Sequence, residues 1–191
     1  MMLLAACSFE HGTSIFDAPG QSRDGLLDAP SDTTNVTIDA APECSSSGLV
    51  CAGVTSSLMC NGACWAKCTQ IGVSVPSQGT AVLSCANWGG KLAPIRDQGD
   101  QDCVAQMLFP GQSHWIGFEQ SSSATSLTTG WTWNSDGIAP TFTHWAAGQP
   151  NDTDGTETDH AEQCATMNTN GDWHDTPCDD DNSYRFSCRK N

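Results

Sequence analysis

The chain has 191 residues, with 22 Asp and Glu against seven Lys and Arg, and its formal net charge at pH 7 is −15. This charge repels polyanions and anionic lipid surfaces, so the sequence predicts neither nucleic acid nor an anionic membrane surface as a partner. A chain of this length fits one ordinary domain with a tail, or two small domains, and a single core is the simpler prediction.

Eleven cysteines in so short a chain indicate disulfides and an oxidising compartment, because their spacings do not form the paired clusters of a zinc ribbon. Residues 1–7 resemble the end of a bacterial lipoprotein signal, in which Leu4, Ala5 and Ala6 precede a lipid-bearing Cys7. The alternative is a truncated signal peptide, which also implies export. The sequence therefore predicts an extracytoplasmic protein, either lipid-anchored to the outer membrane or cell surface through Cys7 or secreted.

Two segments precede the main domain. Residues 8–43 are predicted to form a disordered acidic linker, because they are rich in Asp, Ala and Pro and poor in side chains that could form a core. Residues 44–68 contain five cysteines among several glycines, which indicates loops and a short hairpin held by disulfides. This Cys-rich segment is either a separate knot or an extension of the domain at 69–191, and we favour the extension.

Two helices are predicted next. The first begins near Pro76 and Ser77 and ends at Gly89. Its apolar face is expected to consist of Ala81, Val82, Leu83 and Cys85. The second has Asp100 as its predicted N-cap. Its apolar positions are Cys103, Val104, Met107 and Leu108.

After Gly111 the helical periodicity gives way to short runs typical of strands. These runs are His114–Phe118, Trp131–Trp133, Cys164–Met167 and Tyr184–Cys188. Two helices followed by short strands indicate an α+β fold. The connection over 137–162 is long enough to suggest a functional loop, and Trp145, Gly148 and Pro150 indicate that it is ordered.

These residues occur in an order that resembles the C-type lectin domain family. The resemblance rests on Cys85 with Gly89 and Gly90, the run His114 to Gly117, the run Gly130 to Trp133, Trp145 with Gly148, Gly171 with Trp173, and Cys164, Cys178 and Cys188. It covers about residues 64–191 and implies the C-type lectin-like fold, with two helices, short antiparallel strands and a long loop region braced by disulfides.

The resemblance also implies two disulfides, Cys85 with Cys188 and Cys164 with Cys178. The six other cysteines beyond Cys7 could pair in fifteen ways. They are Cys44, Cys51, Cys60, Cys64, Cys68 and Cys103. Because the family usually has no cysteine on its second helix, we expect Cys103 to bridge to the Cys-rich segment.

Sugar-binding members of the family hold a calcium ion that also binds two hydroxyls of the sugar. The positions that match their ligands are Gln149, Asn151, Glu162, His174 and Asp175, with Pro150 in the cis form. Further ligands could come from the acidic loop residues Asp152, Asp154, Glu157 and Asp159. Calcium, which takes about six to eight oxygen ligands, is therefore the expected cofactor, and glycans or glycoproteins are the expected partners. A plain solvated acidic loop is the alternative.

Two departures from the family pattern leave the sugar and the metal open. Gln149 with Asn151 is a hybrid of the mannose-type and galactose-type triplets, and His160 is the candidate for stacking on a galactose ring. His174 stands where the family has Asn, and an imidazole nitrogen is a poorer calcium ligand than an amide oxygen. The alternative function is a calcium-independent C-type lectin-like module that binds protein or mediates adhesion with a degenerate sugar site.

An enzyme is not predicted. Four histidines with nearby carboxylates could in principle form an acid/base or zinc site. They are His114, His144, His160 and His174. However, none of them are paired at the spacing of a zinc-hydrolase motif, and no serine lies in a nucleophile elbow.

Overall fold

The computed structural model describes residues 43–53, 55–71, 76–153, 155–180 and 184–191. The predicted lipid anchor Cys7, the linker up to residue 42 and the candidate ligand Asp154 lie outside these residues. The elements are β1 Thr55–Cys60, β2 Ala63–Cys68, α1 Gln78–Asn87, β3 Lys91–Leu92, α2 Gln98–Met107, β4 His114–Gln120, β5 Trp131–Trp133, β6 Cys164–Met167, β7 Trp173–Thr176 and β8 Arg185–Lys190.

The strands form one mixed sheet in the order β1, β2, β8, β4, β6, β7, with β3 beside β8 and β5 beside β4. Strands β4 and β8 pair in parallel, and the remaining pairs are antiparallel. This architecture confirms the predicted α+β class with two helices. The hairpin of β1 and β2 joins the sheet through β8, which supports the prediction that residues 44–68 extend the main domain. The domain boundaries themselves stay a prediction.

Helix α1 begins where the sequence predicts, because the Ser77 hydroxyl caps it by accepting a hydrogen bond from the Thr80 N–H at 3.4 Å. Ala81 and Cys85, four residues apart, share the buried face. The assignment of Leu83 to that face is wrong, since its side chain is 64% exposed. A residue two positions from Ala81 lies on the opposite side of a helix.

Helix α2 begins earlier than predicted, and the N-cap prediction is wrong. The cap is Asp97, whose carboxylate accepts a hydrogen bond from the Asp100 N–H at 2.8 Å. Asp100 itself is buried and accepts from Asn61 Nδ2 at 2.8 Å and from Arg189 Nη1 at 3.2 Å. Asp97 and Asp100 are both residues that favour the start of a helix. Asn61 and Arg189, which are distant in the sequence, make Asp100 a buried acceptor, and Asp97 is the cap.

An aromatic core lies behind the candidate site. Phe118, Trp133 and Trp173 are fully buried or nearly so, with ring centroids 4.6 to 5.8 Å apart. Trp145, from the long loop, adds its ring edge-on to Trp173 at 5.9 Å. Gly117 permits this packing on β4, because a Cβ there would come within 2.4 Å of the Leu92 carbonyl oxygen. The core thus anchors the start of the loop that carries the candidate ligands.

The ten cysteines in the described residues form five disulfides. They are Cys44–Cys64, Cys51–Cys68, Cys60–Cys103, Cys85–Cys188 and Cys164–Cys178. The last two are the pairs that the family resemblance implies. The bridge from Cys60 on β1 to Cys103 on α2 ties the Cys-rich segment to the second helix.

His114 is an uncharged core residue. Its Nε2 accepts a hydrogen bond from the Phe109 N–H at 3.1 Å, so the proton lies on Nδ1, 2.8 Å from the Ser187 hydroxyl. Burial lowers the pKa of His114 to about 3, and the positive charges of Lys67 and Arg185 add to this effect. His114 therefore has a structural role in the sheet.

This burial predicts a pH-dependent stability. Between about pH 6.5 and pH 3 the unfolded chain protonates residue 114 and the folded chain does not, so the wild-type protein loses stability as the pH falls through this range. A His114→Gln variant lacks this loss. Between pH 7 and pH 5 its free energy of unfolding, measured by denaturant titration, should change relative to wild type by about 2 kcal/mol in the variant's favour. If the difference in free energy of unfolding between the variant and wild type were the same at pH 7 and pH 5, His114 would not be buried in its neutral form.

Candidate functional site

The candidate ligands are placed by a contact between the long loop and β7. The Trp173 N–H donates to the His144 carbonyl at 2.8 Å, and the Ala146 N–H donates to the Trp173 carbonyl at 2.9 Å. The Trp173 indole is fixed from behind, because its Nε1 donates to Gln101 Oε1 at 2.9 Å. Through these hydrogen bonds residues 144–146 lie alongside β7. The residues that follow, 149–153, therefore lie close to Asp175.

Asp175 organises the backbone after Pro150. One carboxylate oxygen, Oδ2, accepts hydrogen bonds from the Asn151 N–H at 2.8 Å and the Asp152 N–H at 2.7 Å. The peptide bond from Gln149 to Pro150 is cis. Asp152 has a φ of 45°, a left-handed conformation that is unfavourable for a residue with a Cβ. The charged acceptor stabilises it, because hydrogen bonds to ionised groups are the stronger kind.

Glu162 holds the same turn from the other side. Its Oε2 accepts from the Thr153 N–H at 2.7 Å, and its own N–H donates to Asp152 Oδ1 at 2.7 Å. The turn at 151–153 is therefore fixed between Glu162 and Asp175. The structure thus brings together four of the residues predicted from sequence: Asn151, Asp152, Glu162 and Asp175.

Three oxygens in this region are buried and accept no hydrogen bond from the described residues. They are Gln149 Oε1, Asp152 Oδ2 and Asp175 Oδ1. Nearly all buried polar atoms in proteins have a partner, so an unpartnered one calls for an explanation. All three are acceptors of the kind that a hard cation prefers. The residues present therefore fit a calcium ion.

The charges of the site also fit a cation. Burial raises the pKa of the Glu162 carboxyl, and the neighbouring carboxylates of Asp175 and Asp152 raise it further, against the lowering effect of Thr153. Burial likewise raises the pKa of Asp152, with Glu157 and Asp159 adding to it, while the backbone N–H groups of Glu162 and Ala161 oppose it. A cation among these groups would favour their charged forms.

His174 is engaged elsewhere. Asn168 Oδ1 accepts from the Asn170 and Asp172 N–H groups, so its amide NH₂ points at His174 Nε2, 3.0 Å away. As an acceptor, Nε2 has no free lone pair for a metal while this bond persists. In this structure the imidazole of His174 accepts a hydrogen bond within the β6–β7 hairpin and so stabilises it.

Glu157 anchors the extended loop. Its carboxylate is 3% exposed and accepts hydrogen bonds from Gln120 Nε2, Gln163 Nε2 and His160 Nδ1 at 2.9 to 3.1 Å. This arrangement uses Glu157 and His160 to hold the loop against β4. Sequence reasoning missed Gln120, because only the folded chain brings it to a residue 37 positions away. Asp159 is exposed on this loop.

The four histidines in the described ranges do not form a common site. His144 lies 3.6 Å from Asp172, whereas the other three contact different partners. Within the described ranges, no group of three or more His, Cys, Asp or Glu side chains is placed to hold a metal ion. A metal site here would therefore also need the amide oxygens of Gln149 and Asn151. In the same ranges no helix is long and apolar enough to cross a membrane.

Comparison with known proteins gives a consistent result. A family model described as the Lectin C-type domain matches residues 76–190. The carbohydrate-recognition domain of the human scavenger receptor C-type lectin superposes with a TM-score of 0.57 and 26% identity, over 71% of this chain and 95% of that chain. This match confirms the predicted C-type lectin-like fold.

Two curated relatives match over shorter ranges. C-type lectin domain family 4 member G of Mus musculus is 31% identical over 99 residues, which are 52% of this chain and 31% of that protein. The phospholipase A2 myotoxin inhibitor protein of Bothrops moojeni is 48% identical over 44 residues, or 23% of this chain and 22% of that protein. The chain thus spans about a third or less of these two relatives, so their whole activities do not carry over to it.

Proposed function

The chain belongs to the C-type lectin domain family, and from this membership we propose that it binds glycans or glycoproteins through a calcium ion held beside the cis-Pro150 turn. Domains of this family are generally binding modules without enzymatic activity, and carbohydrate binding is typical of them. Calcium dependence and the individual ligands are our proposal.

The observation that carries the proposal is the set of three buried oxygens, on Gln149, Asp152 and Asp175, that accept no hydrogen bond from the part of the chain that the structure describes. The ion would be held by these residues together with Asn151 and Glu162. When bound, calcium supplies coordination positions for two neighbouring sugar hydroxyls. The amide NH₂ groups of Gln149 and Asn151 would donate hydrogen bonds to the same hydroxyls. His174 is left out of this ligand set, because Asn168 occupies its Nε2.

Calcium titration into the chelator-stripped protein, followed by calorimetry, tests this site. We expect saturable binding with a Kd of about 10⁻⁴ to 10⁻³ M, the range of extracellular modules. Binding should be lost in Asn151→Ala, which removes a proposed ligand. The matched control is Asn87→Ala, at the exposed end of α1, which should bind as wild type does. Calcium-dependent retention on immobilised sugars should follow the same pattern.

Two results would contradict the proposal. The first is the absence of heat, and of any shift in melting temperature, at millimolar calcium. The second is calcium binding that survives Asn151→Ala, since the ion would then lie elsewhere.

A calcium-independent protein-binding module is the second candidate function. The hydrogen bond between His174 and Asn168 supports it, because it removes a residue from the position where the family has a calcium ligand. The similarity to a phospholipase A2 inhibitor adds support, since the name of that relative describes action on a protein. A folded protein that fails to bind calcium or any of a broad set of glycans would favour this function.

We further propose that the domain works outside the cytoplasm, tethered through Cys7. C-type lectin domains are typically extracellular or secreted. All ten cysteines from residue 44 onward are paired, which leaves Cys7 as the odd one. Lipidation of Cys7 and the linker at 8–43 stay predictions from sequence.

A further inference from the structure

Positive charge is concentrated in a cleft of about 590 Å³. The cleft is lined by the turn between α1 and β3, by the turn that follows β5, and by the end of β8. Its lining contains Lys91, Arg96, Arg189 and Lys190, four of the seven Lys and Arg of a chain with net charge −15. We call these four residues and their surroundings the basic cleft. Like charges crowded together repel, so such a cluster in an acidic protein invites an anionic ligand.

Lys91 and Lys190 form no ion pair in the described part of the chain, although the positive charge of Lys91 helps to lower the pKa of the Asp136 carboxyl. Lys91 Nζ donates to the neutral Ser135 carbonyl at 3.3 Å, and Lys190 Nζ lies 4.1 Å from the centre of the Trp88 ring. The other two are paired, Arg96 with Asp136 and Arg189 with the buried Asp100. The side chains around the cleft thus place four cations against the carboxylates of Asp136 and Asp100, an excess of positive charge.

Contacts within the protein hold the Arg189 side chain of the cleft in place. Arg189 Nε is buried and donates no hydrogen bond to the described residues, while its guanidinium lies 5.3 Å from the Trp65 ring and its Nη1 donates to Asp100. The backbone of the cleft is closely packed, since a Cβ at Gly90 would lie 2.6 Å from the Arg189 carbonyl oxygen. The cleft therefore exists before any ligand binds.

We propose that the basic cleft binds a single sulfate or phosphate ester on a sugar, independently of calcium. Lysine and arginine are the usual partners of such oxyanions. A volume of about 590 Å³ is of the size of small-ligand sites, and Ile138, 53% exposed at its edge, offers apolar contact to a sugar ring. The net charge of −15 repels long polyanions, which favours an isolated ester on an otherwise neutral glycan.

Titration of the full chain in calcium-free buffer of low ionic strength tests this proposal. The probes are glucose 6-sulfate and glucose 6-phosphate, with glucose as the neutral control. The readout is the ¹⁵N–¹H signals of the Trp88 indole and the Gly89 and Gly90 amides. We expect saturable shifts with both esters and none with glucose. Added salt should weaken the binding, because it screens the exposed charges.

Inorganic sulfate separates the two sources of the same chemistry. If inorganic sulfate binds more weakly than glucose 6-sulfate, the ligand is a sugar ester, as proposed. If the two bind equally, the cleft binds the oxyanion without contacting the sugar, and the proposed sugar ester is wrong. Because no calcium is present, a failure of the proposed lectin site would leave this result unchanged.

Matched variants locate the effect. Lys91→Gln should weaken binding about threefold to fivefold, whereas Lys67→Gln, which changes the net charge equally but lies over the Phe109 ring outside the cleft, should not. Lys91 is exposed, so its substitution should leave the fold intact. An absence of shifts with both esters, or equal weakening by the two variants, would overturn the proposal.

Discussion

Removal of the disulfide between Cys85 and Cys188, by Cys85→Ala with Cys188→Ala, is expected to lower the free energy of unfolding by about 4.7 kcal/mol. The two cysteines are 103 residues apart, and a crosslink over so long a loop removes much of the entropy of the unfolded chain. This bridge also joins α1 to β8, within a core cluster that contains Leu92, Trp115 and Phe186. Denaturant titration of both forms measures the difference.

The matched control is removal of the Cys164–Cys178 bridge, whose cysteines are 14 residues apart. The same reasoning predicts a smaller loss, about 3 kcal/mol. Equal losses for the two pairs, or a larger loss for the shorter loop, would show that unfolded-state entropy does not set their contributions.

The fold is predictable from the sequence because it depends on a few residues that other residue types cannot replace. Cysteines, glycines and tryptophans occur in a fixed order. Gly117 illustrates this, because only a residue without a Cβ fits against the Leu92 carbonyl. Strands β5 and β6 have the bounds predicted from sequence. The strands β3 and β7 are not predicted, since β3 has only two residues and β7 is mostly polar, so neither shows the apolar run that indicates a strand.

The error at the start of α2 has a cause that local sequence does not show, which is a contact between residues far apart in the chain. Asp100 was predicted as a helix cap from local pattern, but Arg189 and Asn61 make it a buried partner. For Glu157 the possible role as a ligand stays a prediction, and the hydrogen bond from Gln120 shows a second role, which is to anchor the loop. Local sequence shows that a carboxylate is present, and the fold decides whether its oxygens are already used.

Asp175 shows the same principle within the candidate site and leads to the prediction with the largest effect on binding. One of its oxygens accepts two backbone N–H groups, and the other is buried with no donor in the described residues. Asp175→Asn keeps an acceptor for the backbone but removes the charge and replaces the second oxygen with NH₂. Calcium affinity should fall by at least about 100-fold, since even residues that only support metal ligands contribute about 10- to 100-fold.

Stability separates this loss from damage to the fold. Without calcium, Asp175→Asn should unfold within about 1 kcal/mol of wild type, because it retains the backbone acceptor and reduces repulsion with Glu162. Asp175→Ala removes the acceptor as well and should lose about 3 kcal/mol or more, since two hydrogen bonds to a charged group are broken. Calorimetry and denaturant titration of the three proteins measure both effects. If Asp175→Asn bound calcium as wild type does, the buried oxygen would not be a ligand, and the proposed site would be wrong even though the turn is correctly described.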